Sequence, residues 1–152
     1  MANPDRALEA ARSRGLTAEA VPRPPARSLE EAAAGLGIEA RLLVKTLVVR
    51  RAEDDYLFVL LPGDRQISWP KLRALVGANR LSLPDAQLAY DATGYERGTI
   101  TPLGSSTAWP VFVDERVSGR IALGSGEHDH AVFVDAGELC AAYSAVVADL
   151  SR

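Results

Sequence analysis

The chain has 152 residues, of which 47% are hydrophobic and 24% charged, and its net charge at pH 7 is −3. This length and apolar content predict a single domain over residues 1–152 with a sizeable core. The weakly acidic balance argues against a broadly basic surface for DNA, and one cysteine, Cys140, excludes an internal disulfide framework. A charged N-terminus and the lack of an apolar run of about 18 residues predict a cytoplasmic protein that does not contact a membrane.

The first third of the chain predicts two helices with a short strand between them. Asn3 and Pro4 have the pattern of an N-cap followed by the first helical residue. Leu16 to Val21 predicts the strand, and the prolines after it predict an extended connection. Ser28 with Glu31 three residues later has the form of a capping box, which predicts the start of the second helix.

An apolar run interrupted by a lysine follows, LLVKTLVVRR from Leu42 to Arg51. Because apolar residues occupy both odd and even positions, the run predicts a strand that is buried on both faces. Lys45 either lies near a strand end and extends its charge into water along its stem, or lies at the rim of a pocket that receives an anionic or carbonyl group. Tyr56 to Leu61 predicts a second apolar strand that pairs with the first as a hairpin.

The second half of the chain predicts short strands and helices in irregular alternation. Helices are expected to begin at the caps Ser68 and Asp135, and a helical turn is expected over Pro84 to Leu88. Further strands are predicted at Arg80–Leu83, Trp109–Asp114, Arg120–Leu123 and Ala131–Val134. The last helix is predicted to close the core with one apolar stripe, which consists of Leu139, Ala142, Tyr143, Val146, Val147 and Leu150. Together these elements predict a mixed α+β fold around one curved, barrel-like mixed sheet of about six or seven strands with peripheral helices.

Two glycine-rich segments are candidates for ligand binding. Ala92 to Gly104 contains three glycines, one proline and three threonines, and Gly124-Ser125-Gly126 directly follows a predicted strand. Glycine accepts positive φ and has no side chain, so backbone amides in such segments can face a ligand closely, although glycine-rich turns are also common connectors. Combined with Lys45, these amides favour the binding and polarisation of an ester or phosphate over hydrolysis by a catalytic triad.

Other reactive side chains give weaker patterns. His128 and His130 lie on one face of a predicted strand entry, but two ligands without a third favour an exposed polar turn, so neither a metal nor a cofactor is predicted. Ser125 lacks the G-x-S-x-G spacing of a nucleophile elbow. Cys140 lies on an alanine-rich predicted helix, where a packed thiol is the preferred interpretation.

An ordered set of motifs over about residues 20 to 150 resembles the YbaK family, which includes the editing domain inserted in bacterial prolyl-tRNA synthetases. The motifs are S-L-E-E-A-A from Ser28, V-K-T-L from Val44, V-L-L-P-G-D from Val59, A-T-G-Y-x-x-G-T-I-T-P-L-G from Ala92, V-F-V-D from Val111 and G-S-G-E-H from Gly124. Many relatives carry serine at the position of Gly124, and here Ser125 follows one residue later.

The resemblance implies roles for particular residues. Lys45 matches the recurrent functional lysine of the family, which is thought to hold the terminal nucleotide or its phosphate, and the loop after Arg97 matches the G-x-x-x-P segment that lies against the substrate ester. The catalytic residues implied in this way are Lys45, Gly98, Thr101 and Gly104. The implied substrate-binding residues are Lys45, Thr46, Thr99, Ile100, Pro102, Gly124, Ser125, Gly126 and His128.

The activity implied by the resemblance is trans-editing. The protein would deacylate mischarged aminoacyl-tRNA by hydrolysing the ester at the 3′-terminal adenosine, with the tRNA acceptor (CCA) end as partner and an aminoacyl-tRNA synthetase as a further partner. Basic residues that could follow the acceptor end are Arg50, Lys71, Arg73 and Arg80. The alternative is a non-catalytic module of the same fold that binds a tRNA end or a synthetase. A metal-dependent hydrolase that uses His128 and His130 is a more distant alternative.

Overall fold

A computed structural model of the protein describes residues 5–152, so the predicted cap at Asn3 and Pro4 lies outside the described residues. The helices are α1 (Asp5–Ser13), α2 (Leu29–Gly35), α3 (Trp69–Val76), α4 (Ala86–Thr93) and α5 (Ala136–Ala142). The strands are β1 (Glu19–Pro22), β2 (Lys45–Ala52), β3 (Asp55–Leu61), β4 (Val111–Asp114), β5 (Arg120–Gly124), β6 (His130–Asp135) and β7 (Val146–Ala148). A short 3-10 turn, Ala40–Leu42, leads into β2.

The described strands form two sheets. One is antiparallel with the order β1-β6-β5, and the other is mixed with the order β2-β3-β4-β7. The mixed α+β class, the number of strands and the β2–β3 hairpin are therefore as predicted. The single curved, barrel-like sheet is not confirmed, because the strands form two separate sheets and neither closes on itself. Leu43, just before β2, forms an isolated bridge with Ala122 of β5.

Strand β2 and the residue before it are buried from both sides, as the apolar run predicts. Val44 and Val48 face the core between the two sheets, where α1 and α5 also pack. Val49 faces the opposite way and packs with Leu72 of α3 and Leu150 near the C-terminus. This arrangement explains why both odd and even positions of the strand are apolar.

The helix caps are confirmed where the structure describes them. The Ser28 hydroxyl accepts a hydrogen bond from Glu31 N–H at 3.1 Å, and Ser68 accepts one from Lys71 N–H at 3.4 Å. Asp135 accepts one from Glu138 N–H at 2.9 Å. Each cap satisfies one of the amides that the first turn of a helix leaves without a partner.

The prediction for the last helix is wrong in its second half. Helix α5 ends at Ala142, Ser144 has a φ of 49°, and the chain then forms β7 parallel to β4. Val146 and Val147 are β-branched residues, which favour strands, and they pair with β4. This pairing with a distant strand prevails over the helical spacing that both residues have with Leu139.

Two smaller differences concern the segment before α4. Arg80 to Leu83 does not form the predicted strand. Within this segment Ser82 pairs with Arg50 in an isolated antiparallel bridge. The predicted turn at Pro84 to Leu88 extends into the full helix α4, whose N-cap is Asp85.

None of the helices within residues 5–152 is long and apolar enough to cross a bilayer.

Candidate active site

A cleft of about 410 Å³ lies where the N-terminal end of β2 meets both glycine-rich segments, and we call it the Lys45 cleft. Five residues that the sequence predicted to belong to a site line this cleft: Lys45, Thr46, Gly98, Ile100 and Gly124. The fold therefore brings the lysine of the apolar strand together with parts of both glycine-rich segments.

The two glycine-rich segments pack directly on each other. Gly126 N–H donates to the Thr99 carbonyl oxygen at 2.9 Å. A Cβ atom on Gly124 would lie 2.7 Å from the Ile100 carbonyl oxygen and 2.8 Å from that of Thr99, closer than carbon and oxygen can approach. Glycine at position 124 therefore allows the end of β5 to support the backbone that lines the cleft.

Lys45 is the first residue of β2 and is half-buried. Burial lowers the pKa of its ammonium from the usual 10.5, and the carboxylates of Asp64 and Glu30 offset this in part. No residue between 5 and 152 forms a hydrogen bond or a close ion pair with Nζ. The lysine thus lies both at a strand end and at the rim of a pocket, which combines the two alternatives that the sequence left open.

Two arginines also line the cleft, and the sequence interpretation did not include them. Arg23 and Arg27 flank a pair of prolines in the extended segment after β1. Arg23 N–H donates to the Asp129 carbonyl oxygen, and its guanidinium donates to that of His128 at 2.8 Å. Within the described chain no carboxylate side chain lines the cleft, so three basic side chains surround it in a protein of net charge −3.

Two kinds of hydrogen-bonding group in the cleft have no protein partner among residues 5–152. The Thr46 hydroxyl is buried and has no hydrogen-bond partner there. Thr99 N–H donates to the Glu96 carbonyl oxygen, whereas the N–H groups of Gly98 and Ile100 donate to no described residue. A buried polar group normally has a partner, so the Thr46 hydroxyl is unusual in lacking one. Gly98 is exposed and Ile100 half-buried, so their amides can bond to solvent or to a ligand.

The structure does not bring the rest of the proline-containing loop to the cleft. The Thr101 hydroxyl is buried and accepts from Leu103 N–H at 3.2 Å, and Pro102 and Gly104 line a separate cavity near α1. The Gly104 carbonyl oxygen accepts from Arg6 Nε at 2.6 Å. Beyond Ile100 the chain thus turns into the protein, where these residues contribute to the contact with α1.

Ser125 and the two histidines make contacts within their own turn and with the neighbouring loop. The buried Ser125 hydroxyl donates to the His130 carbonyl oxygen at 2.8 Å and accepts from Glu127 N–H at 3.2 Å. His128 Nε2 lies 3.1 Å from a Glu96 carboxylate oxygen, and His130 Nδ1 lies 2.8 Å from one of Asp129. The described residues contain no group of three or more His, Cys, Asp or Glu side chains that could hold a metal ion.

The basic residues predicted to follow an acceptor end do not line the Lys45 cleft. Arg50 and Arg80 line a different groove at the far end of β2. Lys71 donates to Asp149 and to the Ser151 carbonyl oxygen, both at 2.8 Å. Arg73 lies in the last turn of α3. The cations that surround the cleft are instead Lys45, Arg23 and Arg27.

A sequence comparison assigns the family. Residues 23–141 match the family model for the aminoacyl-tRNA editing domain. The chain belongs to this family, which confirms the resemblance found in the motifs.

Curated relatives are much longer than this chain. A proline–tRNA ligase of Caldicellulosiruptor saccharolyticus is 34% identical over 109 residues, which cover 70% of this chain and 18% of the ligase. A proline–tRNA ligase of Nitratidesulfovibrio vulgaris is 36% identical over 99 residues, which cover 65% of this chain and 17% of the ligase. The chain therefore spans less than a fifth of the length of these relatives.

Solved structures match over almost the whole chain. One is described as a candidate trans-editing enzyme for prolyl-tRNA synthetase and has a TM-score of 0.89 with 27% sequence identity, covering 98% of this chain and 96% of its own. Another, described as a hypothetical protein, has a TM-score of 0.87 with 29% identity, covering 97% of this chain and 99% of its own. The fold described above is thus similar to that of solved chains of comparable length.

Proposed function

We infer that this protein is a trans-editing hydrolase, which removes the amino acid from mischarged aminoacyl-tRNA by hydrolysing the ester at the 3′-terminal adenosine. Membership of the editing-domain family supports the substrate class. The observation that carries the proposal is the half-buried ammonium of Lys45, which has no close partner among the described residues and shares a cleft with Gly98 and Gly124. An anionic RNA terminus would supply the missing negative charge.

The cleft offers separate contacts for the parts of such a substrate. Lys45 neutralises a backbone phosphate or orients a hydroxyl of the terminal ribose, and Arg23 and Arg27 add positive charge at the entrance. The Gly98 and Ile100 amides donate to the ester carbonyl and stabilise the negative charge that develops on its oxygen. A water molecule is the nucleophile, so no side chain needs to form a covalent intermediate.

The apolar part of the cleft receives the amino-acid side chain. Leu29, Leu43, Ile100 and Leu123 line it and bring no charge. A pocket of this kind selects mainly by shape, because one methylene changes the binding free energy by about 1 to 3 kcal/mol. Further selectivity then comes from the tRNA or from a partner synthetase.

The test is the loss of ester bond from a panel of mischarged tRNAs incubated with the purified protein. The wild type is expected to deacylate at least one of them, and Lys45→Ala is expected to lower kcat/KM about 100-fold, since removal of a charge-assisted contact costs about 1.5 to 3 kcal/mol. Arg51→Ala is the matched control, because it removes an exposed cation that lies on β2 far from the cleft.

The outcomes separate the candidates. No deacylation across the whole panel would rule out the proposed hydrolase. Binding of the tRNA end without turnover would instead support the non-catalytic module. Equal losses in the Lys45 and Arg51 variants would mean that Lys45 has no special role in the site.

A further inference from the structure

A second groove lies on the other side of Lys45. It has a volume of about 570 Å³, and we call it the Trp69 groove after its residues Lys45, Leu47, Ile67, Trp69, Leu83 and Arg152. Lys45 is the first residue of β2 and lines both this groove and the Lys45 cleft. The next two residues lie on opposite faces of the strand, so that Thr46 lines the cleft and Leu47 lines the groove. The two depressions are therefore neighbours that share one cation.

The groove combines apolar surface with positive charge. Trp69 is partly exposed, and its indole takes part in none of the ring pairs or cation–π contacts among the described residues. Leu83 is 54% exposed beside it. Lys45 and Arg152 are the charged side chains of the lining, which contains no carboxylate side chain within residues 5–152. A partly exposed aromatic side chain beside cations is the arrangement with which proteins bind single-stranded nucleic acid by base stacking.

Neighbouring elements hold the wall of this groove in place. Trp69 begins α3 and packs on the buried cluster that includes Leu72. Ser68 N–H donates to the Leu150 carbonyl oxygen at 2.8 Å, and Arg152 N–H donates to that of Gln66 at 2.9 Å. The indole is thus presented by a fixed part of the fold, which keeps the entropy cost of stacking low.

We propose that the Trp69 groove binds the unpaired nucleotides that precede the terminal adenosine of the RNA 3′ end, with one base stacked on Trp69. This inference rests on the proposed function, because it extends a strand whose last nucleotide occupies the Lys45 cleft. Lys45 then lies beside the phosphate that joins the two segments. The bases differ little in their stacking faces, so the groove contributes affinity for any such single strand and little sequence selectivity.

Fluorescence tests the binding step directly. Trp69 and Trp109 are the tryptophans of the chain, and Trp109→Phe leaves Trp69 as the sole indole reporter. Titration of this variant with the trinucleotide CCA is expected to quench its emission, whereas adenosine monophosphate leaves the emission unchanged. Quenching by a synthetase but not by CCA would make the groove a protein-docking surface and overturn the proposal.

Kinetics test the consequence for turnover. Trp69→Ala is expected to raise KM for mischarged tRNA about 5- to 150-fold, the range that corresponds to loss of one base stack, and to leave hydrolysis of the same amino acid esterified to adenosine unchanged. Trp69→Phe should retain most of the affinity. Leu75→Ala, which removes an exposed apolar side chain on α3 outside the groove, is the matched control.

The results distinguish a failed groove from a failed function. If Trp69→Ala raises KM equally for the mischarged tRNA and for the adenosine ester, Trp69 has a structural role and the proposal is overturned. An unchanged KM for the tRNA would also overturn it. If the wild type hydrolyses neither substrate, the proposed hydrolase fails, and the CCA titration alone decides the groove: quenching upholds it and no response refutes it.

Discussion

The Lys45 cleft and a cluster of ionic side chains near the C-terminus both contain basic residues, but they differ in how these are paired. In the C-terminal ion cluster, which consists of Lys71, Asp114, Arg116 and Asp149, Arg116 Nη1 lies 2.8 Å from an Asp149 oxygen and 3.2 Å from one of Asp114. Lys71 Nζ lies 2.8 Å from the other Asp149 oxygen. Each cation of this cluster has a carboxylate partner.

The cleft has the opposite arrangement. Among the described residues no carboxylate forms an ion pair with the side chain of Lys45, Arg23 or Arg27. Asp64 and Glu30 act on Lys45, and Asp129 interacts with Arg23, only at longer range. Paired charges contribute to the fold by satisfying one another, whereas unpaired charges around a concave site are available to an anionic ligand. This difference supports a structural role for the first region and the proposed binding role for the second, and the predictions below test this division.

The largest effect on stability is expected for Asp114→Ala. The Asp114 carboxylate is fully buried and accepts hydrogen bonds from Leu150 N–H at 2.9 Å and Arg116 N–H at 3.0 Å. Removing it leaves buried donors without partners and should lower the free energy of unfolding by about 3 to 5 kcal/mol, measured by urea denaturation. The exposed neighbour Glu115→Ala should change it by less than about 0.5 kcal/mol. A loss below about 1 kcal/mol for Asp114→Ala would contradict the structural role of the cluster.

Gly124→Ala tests the support of the cleft. The added methyl group meets the carbonyl oxygens of Thr99 and Ile100, so those backbone groups must shift, at a cost of about 1 to 3 kcal/mol in unfolding free energy. Because the same backbone lines the cleft, kcat/KM for the mischarged tRNA should fall even at temperatures where the variant is folded. Gly35→Ala is the control, since its Cβ would meet Pro24 at an ordinary 3.4 Å. An unchanged kcat/KM in Gly124→Ala would show that the contact of Gly124 with the Thr99–Ile100 backbone does not affect the activity.

The pH dependence of RNA-end binding tests the charge of Lys45. Burial lowers the pKa of Lys45 below 10.5, so its ammonium loses the proton earlier on a rise in pH than an exposed lysine does. Affinity for the CCA trinucleotide should be highest at neutral pH, where Lys45 is protonated, and should decrease as pH rises through this lowered pKa. Lys45→Arg should move the decline to higher pH, because a guanidinium keeps its proton. An identical pH profile for the two proteins would show that another group is responsible.

The smallest effect is expected at Asp149, on the exposed side of the C-terminal ion cluster. Hydrogen bonds from Lys71 and then Arg116 lower the pKa of Asp149 to about 2. Its contribution to stability is therefore present above the pKa of about 3.9 that an unfolded chain has, and is lost as pH falls through about 2.

Thermal unfolding checks this at several pH values. The melting temperature of Asp149→Asn should lie below that of the wild type at pH 7, and the difference should shrink as pH falls from about 4 to 2. A difference that stays constant over this interval would mean that the carboxylate charge does not contribute.

Local patterns of sequence predicted the elements whose determinants lie within a few residues. The caps at Ser28, Ser68 and Asp135 depend on a side chain and an amide three residues apart, and the β2–β3 hairpin depends on two adjacent apolar runs. The motif order also predicted the family. Each of these patterns can be recognised in the sequence without knowledge of the tertiary structure.

Only the tertiary structure decided the long-range arrangement. Val146 and Val147 had helical spacing, yet they pair with β4, which lies more than thirty residues earlier in the chain. Thr101, Pro102 and Gly104 were grouped with Gly98 by their motif, yet the loop turns away after Ile100, whereas Arg23 and Arg27 reach the cleft from a segment that carried no binding motif. Periodicity reports which faces of an element are apolar, but which element covers each face, and which cations then remain unpaired, depends on contacts between segments distant in sequence.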